Sequence, residues 1–410
     1  MVVKKLVVVG GGAAGFFCAV NAARLNPNLQ VILIEKTGKL LSKVKVSGGG
    51  RCNVTHACFD IADMSKRYPR GGNFVKKTFH QFFTTDTIDW FRQRGVELKE
   101  EKDGRMFPIT DSSQTIIDCL LNEMSRYGIE MMMQTEVKNI NSKKGQFAIQ
   151  LSNSRMLTAD YICIASGGYP KSSMFEWLRE LGHSIEDPVP SLFTFNMPGH
   201  PIRELMGVSV ENTRVKITGT KLEQEGPLLI THWGMSGPAI LKLSAWGARE
   251  LAIKQYNFSI VVNWLPNYNE QQLAEKFQSL RFEIAAQKLG TKNHFGLPGR
   301  LWDFLLHYSG VDAERRWTDL PSKDANKLVK NLCSCGFEVK GKTTFKEEFV
   351  TAGGIRLTEI DHTTMMSKKQ PNLFFAGEVL DVDGVTGGFN FQYAWTSGFI
   401  AGKTIAQISL

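Results

Sequence analysis

Glycines at fixed spacing, an acid one strand further on, and a glycine pair near the far end of the chain are the residues whose types could do chemistry. Gly10, Gly12 and Gly15 stand in Lys5-Leu-Val-Val-Val-Gly10-Gly-Gly-Ala-Ala-Gly15, a G-x-G-x-x-G run directly after an apolar stretch. Gly10 allows the tight turn. Gly12 lets backbone approach a pyrophosphate, and Gly15 lets the next helix pack closely on the strand. Ala13 and Ala14 open that helix, whose N-terminal amides and positive dipole end face the phosphates. Glu35 ends a second apolar run, Val31-Ile-Leu-Ile34, where an acid binds ribose hydroxyls. Lys36 and Lys43 are counted with the same site. This is the chemistry of holding a dinucleotide.

Three further segments extend it. Ser47-Gly48-Gly49-Gly50-Arg51-Cys52-Asn53 places three glycines where backbone amides can turn toward an anion. Arg51 can offer a planar fork to phosphate there. Ala165-Ser166-Gly167-Gly168 ends the apolar run Tyr161 to Ala165, and ligands of doubly wound sheets sit outside the carboxyl ends of strands. Near the end stands Leu373-Phe-Phe-Ala-Gly377-Glu378-Val-Leu-Asp-Val-Asp-Gly-Val-Thr-Gly387-Gly388-Phe389-Asn390. Nicotinamide dehydrogenases usually need only the first motif. A nucleotide domain that opens at residue 5 and closes with an acid and a glycine pair points to a flavin enzyme.

The elements that must position these residues follow from the patterning. Strands are expected at Leu6 to Val9 and Val31 to Ile34, with a helix over Ala13 to Leu25 between them. Residues 75–130 read as largely helical, and 131–165 as strands at Met131 to Ile140, Gln146 to Leu151 and Tyr161 to Ala165. Beyond Pro188-Val-Pro190 the texture changes. Residues 191–262 read as several short strands with turns at Gly199, Gly207, Gly219 and Gly226. Residues 268–335 read as helix-rich, including Glu270 to Lys288 and Leu301 to Tyr308. Strands return from about 345, and a final helix starts near Asn390. A chain of 410 residues calls for two or three subdomains.

Composition narrows the class. Hydrophobic content of 42% and charged content of 22% are those of a globular protein. No apolar run reaches the roughly 18–20 residues of a membrane span. The N-terminus enters a strand with no secretory h-region, so a cytoplasmic location is expected. The 7 cysteines lack zinc-ribbon spacing and read as reduced thiols, and no metal is expected. The net charge of +9 has no basic run behind it, and a solvated basic surface is preferred to a nucleic-acid interface.

Ser47-Gly-Gly-Gly-Arg-Cys-Asn53, Thr231-His232-Trp-Gly234-Met-Ser236-Gly237-Pro238 and the Gly377 to Asn390 motif together resemble the BaiN/YhiN-type bacterial flavoproteins, aminoacetone-oxidase-like proteins among them. The resemblance spans nearly the whole chain. It implies an α/β fold in which a discontinuous, glutathione-reductase-like FAD/NAD(P)-binding Rossmann domain occupies 1–189 and 346–410. It implies an insert over 190–345, with a β-barrel at about 190–265 and 330–345 and a helical part at about 266–329. It further implies that Glu378 meets the ribityl chain and that Gly387, Gly388, Phe389 and Asn390 form the turn and helix start beneath the flavin ring. The backbone of Val137 would meet adenine. Many relatives read Thr-Met-Glu-Ser-Lys where this chain has Thr364-Met-Met366-Ser-Lys368, which removes an acid at that place.

Catalytic residues are less marked. His232 reads either as a pocket residue that orients substrate or moves a proton, or as a satisfied histidine inside the barrel. Arg105 reads equally as a ligand for an anionic substrate or as a surface residue. The expected activity is hydride transfer between flavin N5 and a small organic substrate, with NAD(P)H or O₂ as second redox partner. A flavin-dependent RNA-modifying enzyme and a non-enzymatic redox sensor are the alternatives. Neither nucleic acid nor membrane is expected as a partner, and the oligomeric state is not encoded in any motif.

Overall fold

The computed structural model describes residues 3–143, 145–344 and 350–410. The chain divides into two compact units, Met1–Ser191 with Lys346–Leu410, and Leu192–Phe345. The expected return near residue 345 falls outside the described residues.

The first unit is built on a five-stranded parallel sheet. Its order is Leu373–Phe375, Tyr161–Ile164, Lys5–Val9, Gln30–Ile34 and Glu130–Met132. Register is direct, with Val7 opposite both Ile162 and Ile32. The first four of these strands are buried apolar runs without alternation because a parallel sheet is covered on both faces, whereas the edge strand Glu130–Met132 is largely exposed. Leu6, Val7 and Val8 are fully buried. Helix Ala13–Leu25 packs along the final helix, Phe389–Ile408. Gly398 and Gly402 make that approach close: a Cβ at either would stand 2.5 Å from the carbonyl oxygen of Ala14 or Cys18. An aromatic cluster closes the same seam. Phe17 lies 4.4 Å from Trp90 and 4.9 Å from Trp395, centroid to centroid. Such pairs contribute about 0.5–1.5 kcal/mol each beyond burial. The Trp395 indole N–H donates to Val54 O at 2.9 Å, so burying it strands no donor.

Two expectations for this unit change. Residues 75–130 are not wholly helical: strands Leu98–Glu100 and Arg105–Pro108 join Thr55–His56 in a small antiparallel sheet. The run Met131 to Ile140 is two strands, Glu130–Met132 and Val137–Lys143, separated at Gln134, whose φ of 52° breaks the extension. The second joins Gln146–Leu151 and Met156–Ala159 in a meander.

In the second unit, seven strands follow the order Cys335–Lys340, Asn257–Asn263, Ser209–Ile217, Glu223–Ile230, Gly234–Ser236, Thr194–Asn196, Lys342–Thr343. The first and last strands of that order are joined through Gly341 alone. The region expected as short strands also holds a 16-residue helix, Pro238–Ile253. Proline at its first turn needs no N–H partner, and Ile240, Leu243, Gly247, Ala248 and Leu251 fall on its buried side. Helices Glu270–Glu283, Gly299–Tyr308 and Ser322–Cys333 bury Phe277, Trp302 and Leu328 in one continuous core with the strand residues Val215, Ile260 and Phe337. The expected helix to Lys288 stops at Glu283.

Candidate functional site

The carboxyl ends of the first unit's parallel strands carry the first glycine loop, and its glycines are not equivalent. A Cβ on Gly10, whose φ is +116°, would lie 2.4 Å from Ala165 O, and one on Gly15 would lie 2.0 Å from Gly10 O. The chain's own backbone excludes side chains at both. Gly12, the N-cap of helix Ala13–Leu25, has φ −96°, and nothing lies within 4 Å of the place its Cβ would take. Packing in the first unit does not require that glycine. A pyrophosphate laid on the helix N-terminus does. The residues present therefore fit the phosphates of a dinucleotide.

Glu35 is fixed for the neighbouring role. One carboxylate oxygen accepts the Gly11 amide at 2.9 Å, and the other accepts Thr37 N at 2.8 Å and Thr37 Oγ1 at 2.7 Å. The acid is held at the strand end with lone pairs left for ribose hydroxyls. It opens onto a cavity of about 210 Å³ lined by Val9, Gly10, Lys36, Val137, Lys138 and Ser166. Tyr169, Met174 and Trp177 line the same cavity and had no motif to announce them. They supply flat or polarizable apolar surface suited to a purine face. Lys36 Nζ lies 5.4 Å from the Tyr169 ring centroid. Gly167, with φ +75°, has open space at its Cβ position. Glu35→Ala is expected to weaken FAD at least about tenfold, because a charged hydrogen bond contributes about 1.5–3 kcal/mol. Isothermal titration of apoprotein with FAD measures it, and an unchanged Kd would make Glu35 only a brace for the Gly11 turn.

The second glycine loop ends helix Ser42–Gly50. The helix is broken at Ser47 (ψ 148°), and Gly48, Gly49 and Gly50 take φ of 59°, 70° and 86°. Gly48 is pressed on Phe107, while Gly49 and Gly50 face open space. Arg51 departs from the expected phosphate fork. Its guanidinium pairs with Glu101, lies 3.5 Å from Asp111 and stacks 4.0 Å over the Phe107 ring. Through these contacts Arg51 anchors the loop to the small sheet. Cys52 is buried, and burial pushes its thiol up to about 12, which rules out a thiolate role. Lys43 reaches across to Glu378, whose other oxygen accepts Thr351 N at 2.8 Å. That pair joins the second loop to the C-terminal motif.

The C-terminal turn takes a backbone conformation that favours glycine where the glycine pair stands. Gly387 and Gly388 have φ of +132° and +93°, and a Cβ on Gly388 would strike Thr55 O at 2.5 Å. With its carboxamide oxygen toward the helix start, Asn53 accepts from Gly388 N at 3.0 Å and donates to Thr55 O at 2.9 Å. Asn53 therefore works on the turn. Asn390 does likewise, accepting from Gly384 N at 2.8 Å and donating to Gly384 O at 2.9 Å. His56, which no motif singled out, bonds Gly387 O through Nδ1 at 3.0 Å and stacks on Phe389 at 4.6 Å. Gly377 N donates to Ser397 Oγ at 2.9 Å, and its Cβ position is filled by Ala14.

His232 lies in the second unit. It is exposed, next to Trp233, with its carbonyl accepting from Arg203 Nε at 2.6 Å. That exposure removes the reading of a histidine satisfied inside the strand core. Arg105 donates to Asp103 at 2.7 Å and to Glu101 at 3.1 Å, which is a surface pairing. Ser367, His183 and Glu359 have triad-like spacing of 3.2 Å and 3.0 Å. However, Ser367 and His183 are each only 3% exposed. Burial pushes the His183 pKa down, against the pull of Glu359. Burial pushes Glu359 up, but bonds from Lys369, Ser184 and His183 outweigh it and leave about 2. The cluster is a buried brace. Among the described residues, no group of His, Cys, Asp and Glu suits a metal, and no helix is long and apolar enough to cross a membrane.

The family described as HI0933-like protein Rossmann domain matches residues 4–404. The 3-dehydro-bile acid delta(4,6)-reductase of Clostridium scindens is 26% identical over 415 residues, covering 98% of this chain and 99% of that protein. The ribosomal RNA dihydrouridine synthase of Escherichia coli is 28% identical over 415 residues, with 97% of each covered. That of Haemophilus influenzae is 28% identical over 414 residues, with 98% of each covered. Among solved structures, a flavocytochrome c3 fumarate reductase superposes with TM-score 0.53 at 17% identity, over 99% of this chain and 79% of that one. A 3-ketosteroid-delta4-(5alpha)-dehydrogenase from Rhodococcus jostii gives TM-score 0.53 at 13% identity, over 98% and 97%. At these identities the structures establish a shared fold.

Proposed function

From the premise that this chain belongs to the HI0933-like Rossmann-domain family and is an FAD-dependent oxidoreductase, we propose that it reduces a carbon–carbon double bond conjugated to a carbonyl. The observation that carries the cofactor half is the open Cβ position of Gly12 at the helix start, with Glu35 fixed beside the cavity. The substrate half rests on the relatives. A delta(4,6)-reductase and a dihydrouridine synthase are both named for saturating a ring double bond.

When bound, FAD supplies two-electron hydride chemistry at N5. Gly12 and the amides of helix Ala13–Leu25 would hold its pyrophosphate, Glu35 its ribose, and the cavity at Val137 its adenine. Glu378, aligned by Lys43 and Thr351, would meet the ribityl chain. The turn at Gly387 and Gly388, held by Asn53, Asn390 and His56, would carry the ring on the N-terminus of helix Phe389–Ile408, where positive dipole favours negative charge on the reduced ring. Hydride added at the carbon β to a carbonyl leaves an enolate that must take a proton at the α carbon. His232 is our candidate to orient the substrate or deliver that proton. We read the second unit's sheet as a small barrel, because its end strands are consecutive in the chain, and assign to this insert the selection of what reaches N5. NAD(P)H is the proposed source of electrons and O₂ the competing sink.

A second reading takes its cue from the names of two relatives: reduction of the uracil ring in RNA, with the net charge of +9 suited to a polyanion. One experiment tests both. The purified protein is expected to be yellow and to release FAD on acid precipitation. Reduced anaerobically with NADH or NADPH, its flavin should be reoxidised by cyclohex-2-enone or by a uridine-containing oligonucleotide. Reoxidation by O₂ alone would overturn the double-bond reading, and colourless protein that takes up no FAD would overturn the cofactor site.

A further inference from the structure

Strands Glu223–Ile230 and Gly234–Ser236 pair with Ile230 opposite Met235. Thr231 N donates to Gly234 O at 2.7 Å, and Gly234 N donates to Thr231 O at 3.2 Å. The tip they close holds two residues, His232 and Trp233. Hairpin tips of this length favour Asn, Asp and Gly. This one carries two rings, 4.7 Å apart and inclined at 45°. Trp233 is 42% exposed. With the His232 ring beside it, Trp233 presents a flat apolar face at the surface on which a planar group can stack.

The surroundings are cationic. Arg203 Nε donates to His232 O at 2.6 Å, tying the tip to the turn Pro201–Leu205. Arg300 donates to Glu204 O at 2.6 Å and to Met206 O at 3.4 Å, from the start of helix Gly299–Tyr308. Met206 is 56% exposed. Arg300, Met206, Arg203, His232 and Trp233 thus follow one another across one face of the second unit, with the Glu204 side chain as the acid of the turn. Each guanidinium keeps N–H groups beyond those that bond carbonyls. Stackable rings beside fixed guanidiniums are the means by which unpaired nucleotides are held: bases on the rings, phosphates on the arginines.

We propose that the His232–Trp233 tip, with Arg203, Arg300 and Met206, is a stacking and phosphate-binding platform for a single-stranded RNA segment. This rests on the second reading above, that the reduced ring is a uracil carried in RNA. A small neutral enone would use the rings and leave the guanidiniums idle. A polyanion uses both.

The test uses FAD-loaded protein and a fluorescently labelled single-stranded oligouridylate, followed by polarisation at two or more salt concentrations. Wild-type protein should bind saturably. Trp233→Ala should weaken binding at least about tenfold and Trp233→Phe should restore most of it, as base stacking predicts. Arg300→Ala should lower the slope of log affinity against log salt by about one. Trp246→Ala, at another tryptophan of the second unit that is 40% exposed, should bind as wild type. Wild-type binding with no loss in Trp233→Ala would overturn the platform and leave the RNA reading standing. No wild-type binding at low salt, from protein whose reduced flavin cyclohex-2-enone still reoxidises, would overturn the RNA reading and the platform with it.

Discussion

Gly12→Val is expected to yield a folded, colourless protein. The reason is the contrast among the three glycines of one motif. At Gly15 a Cβ would stand 2.0 Å from Gly10 O, and at Gly10 it would stand 2.4 Å from Ala165 O, so side chains at either must displace backbone. At Gly12 the φ of −96° is open to any residue, and nothing lies within 4 Å of the Cβ position. Valine there is accommodated by the apoprotein and occupies the volume a pyrophosphate needs. Overpacking of a fitted site costs about 1–3 kcal/mol, or about ten- to a hundredfold in affinity, and loss of the helix-terminus contacts adds to it. Gly15→Val should instead fail to fold in either state. Flavin absorbance of the purified variants and the thermal transition of their apoproteins separate the two outcomes. A yellow Gly12→Val protein would show that the phosphates lie elsewhere.

What could be read in advance, and what could not, follows from the range of the interactions. Helix Ala13–Leu25 and the strands around it are legible because a buried parallel strand is uninterrupted in apolar residues and its loop is fixed by glycine spacing. Glu35 follows, since one helix and one turn fix where the second strand ends. The partners of Arg51 are not legible, because Glu101 and Asp111 reach it from outside its loop. Tyr169, Met174 and Trp177 line the cavity from beyond the third glycine loop, and their one sequence signal is a cluster of large apolar residues right after Gly167 and Gly168. Helix Pro238–Ile253 is missed by a strand reading of 191–262, although Pro238 at its first turn and apolar residues at helical spacing are its local signals.

Arg70→Ala is expected to remove about 3–5 kcal/mol of the first unit's stability, a large share of the roughly 5–15 kcal/mol typical of a domain. Asp383, in the loop that leads to Gly387, is fully buried, and Arg70 pairs with it by two contacts while itself only 9% exposed. Ser191 Oγ donates to the same carboxylate and accepts from Arg70 Nη2 at 3.1 Å. Burial pushes the Asp383 carboxyl up, and Arg70 and then Ser191 pull it back. Without Arg70 the upward push is opposed by Ser191 alone, and the folded variant holds Asp383 best as the neutral acid. A group whose folded pKa lies above its unfolded value stabilises most below the unfolded value, about 3.9, and loses that contribution as pH rises through the folded one. The deficit of Arg70→Ala should therefore shrink as pH falls from 8 toward 5. Arg70→Met with Asp383→Leu should recover most of the loss at every pH, because replacing both members leaves no buried charge. Urea unfolding of the three proteins at pH 5 and pH 8 measures this. A deficit that grows at low pH, or a double variant no better than Arg70→Ala, would mean that packing by the Arg70 side chain, rather than compensation of Asp383, holds the loop to Gly387 in place.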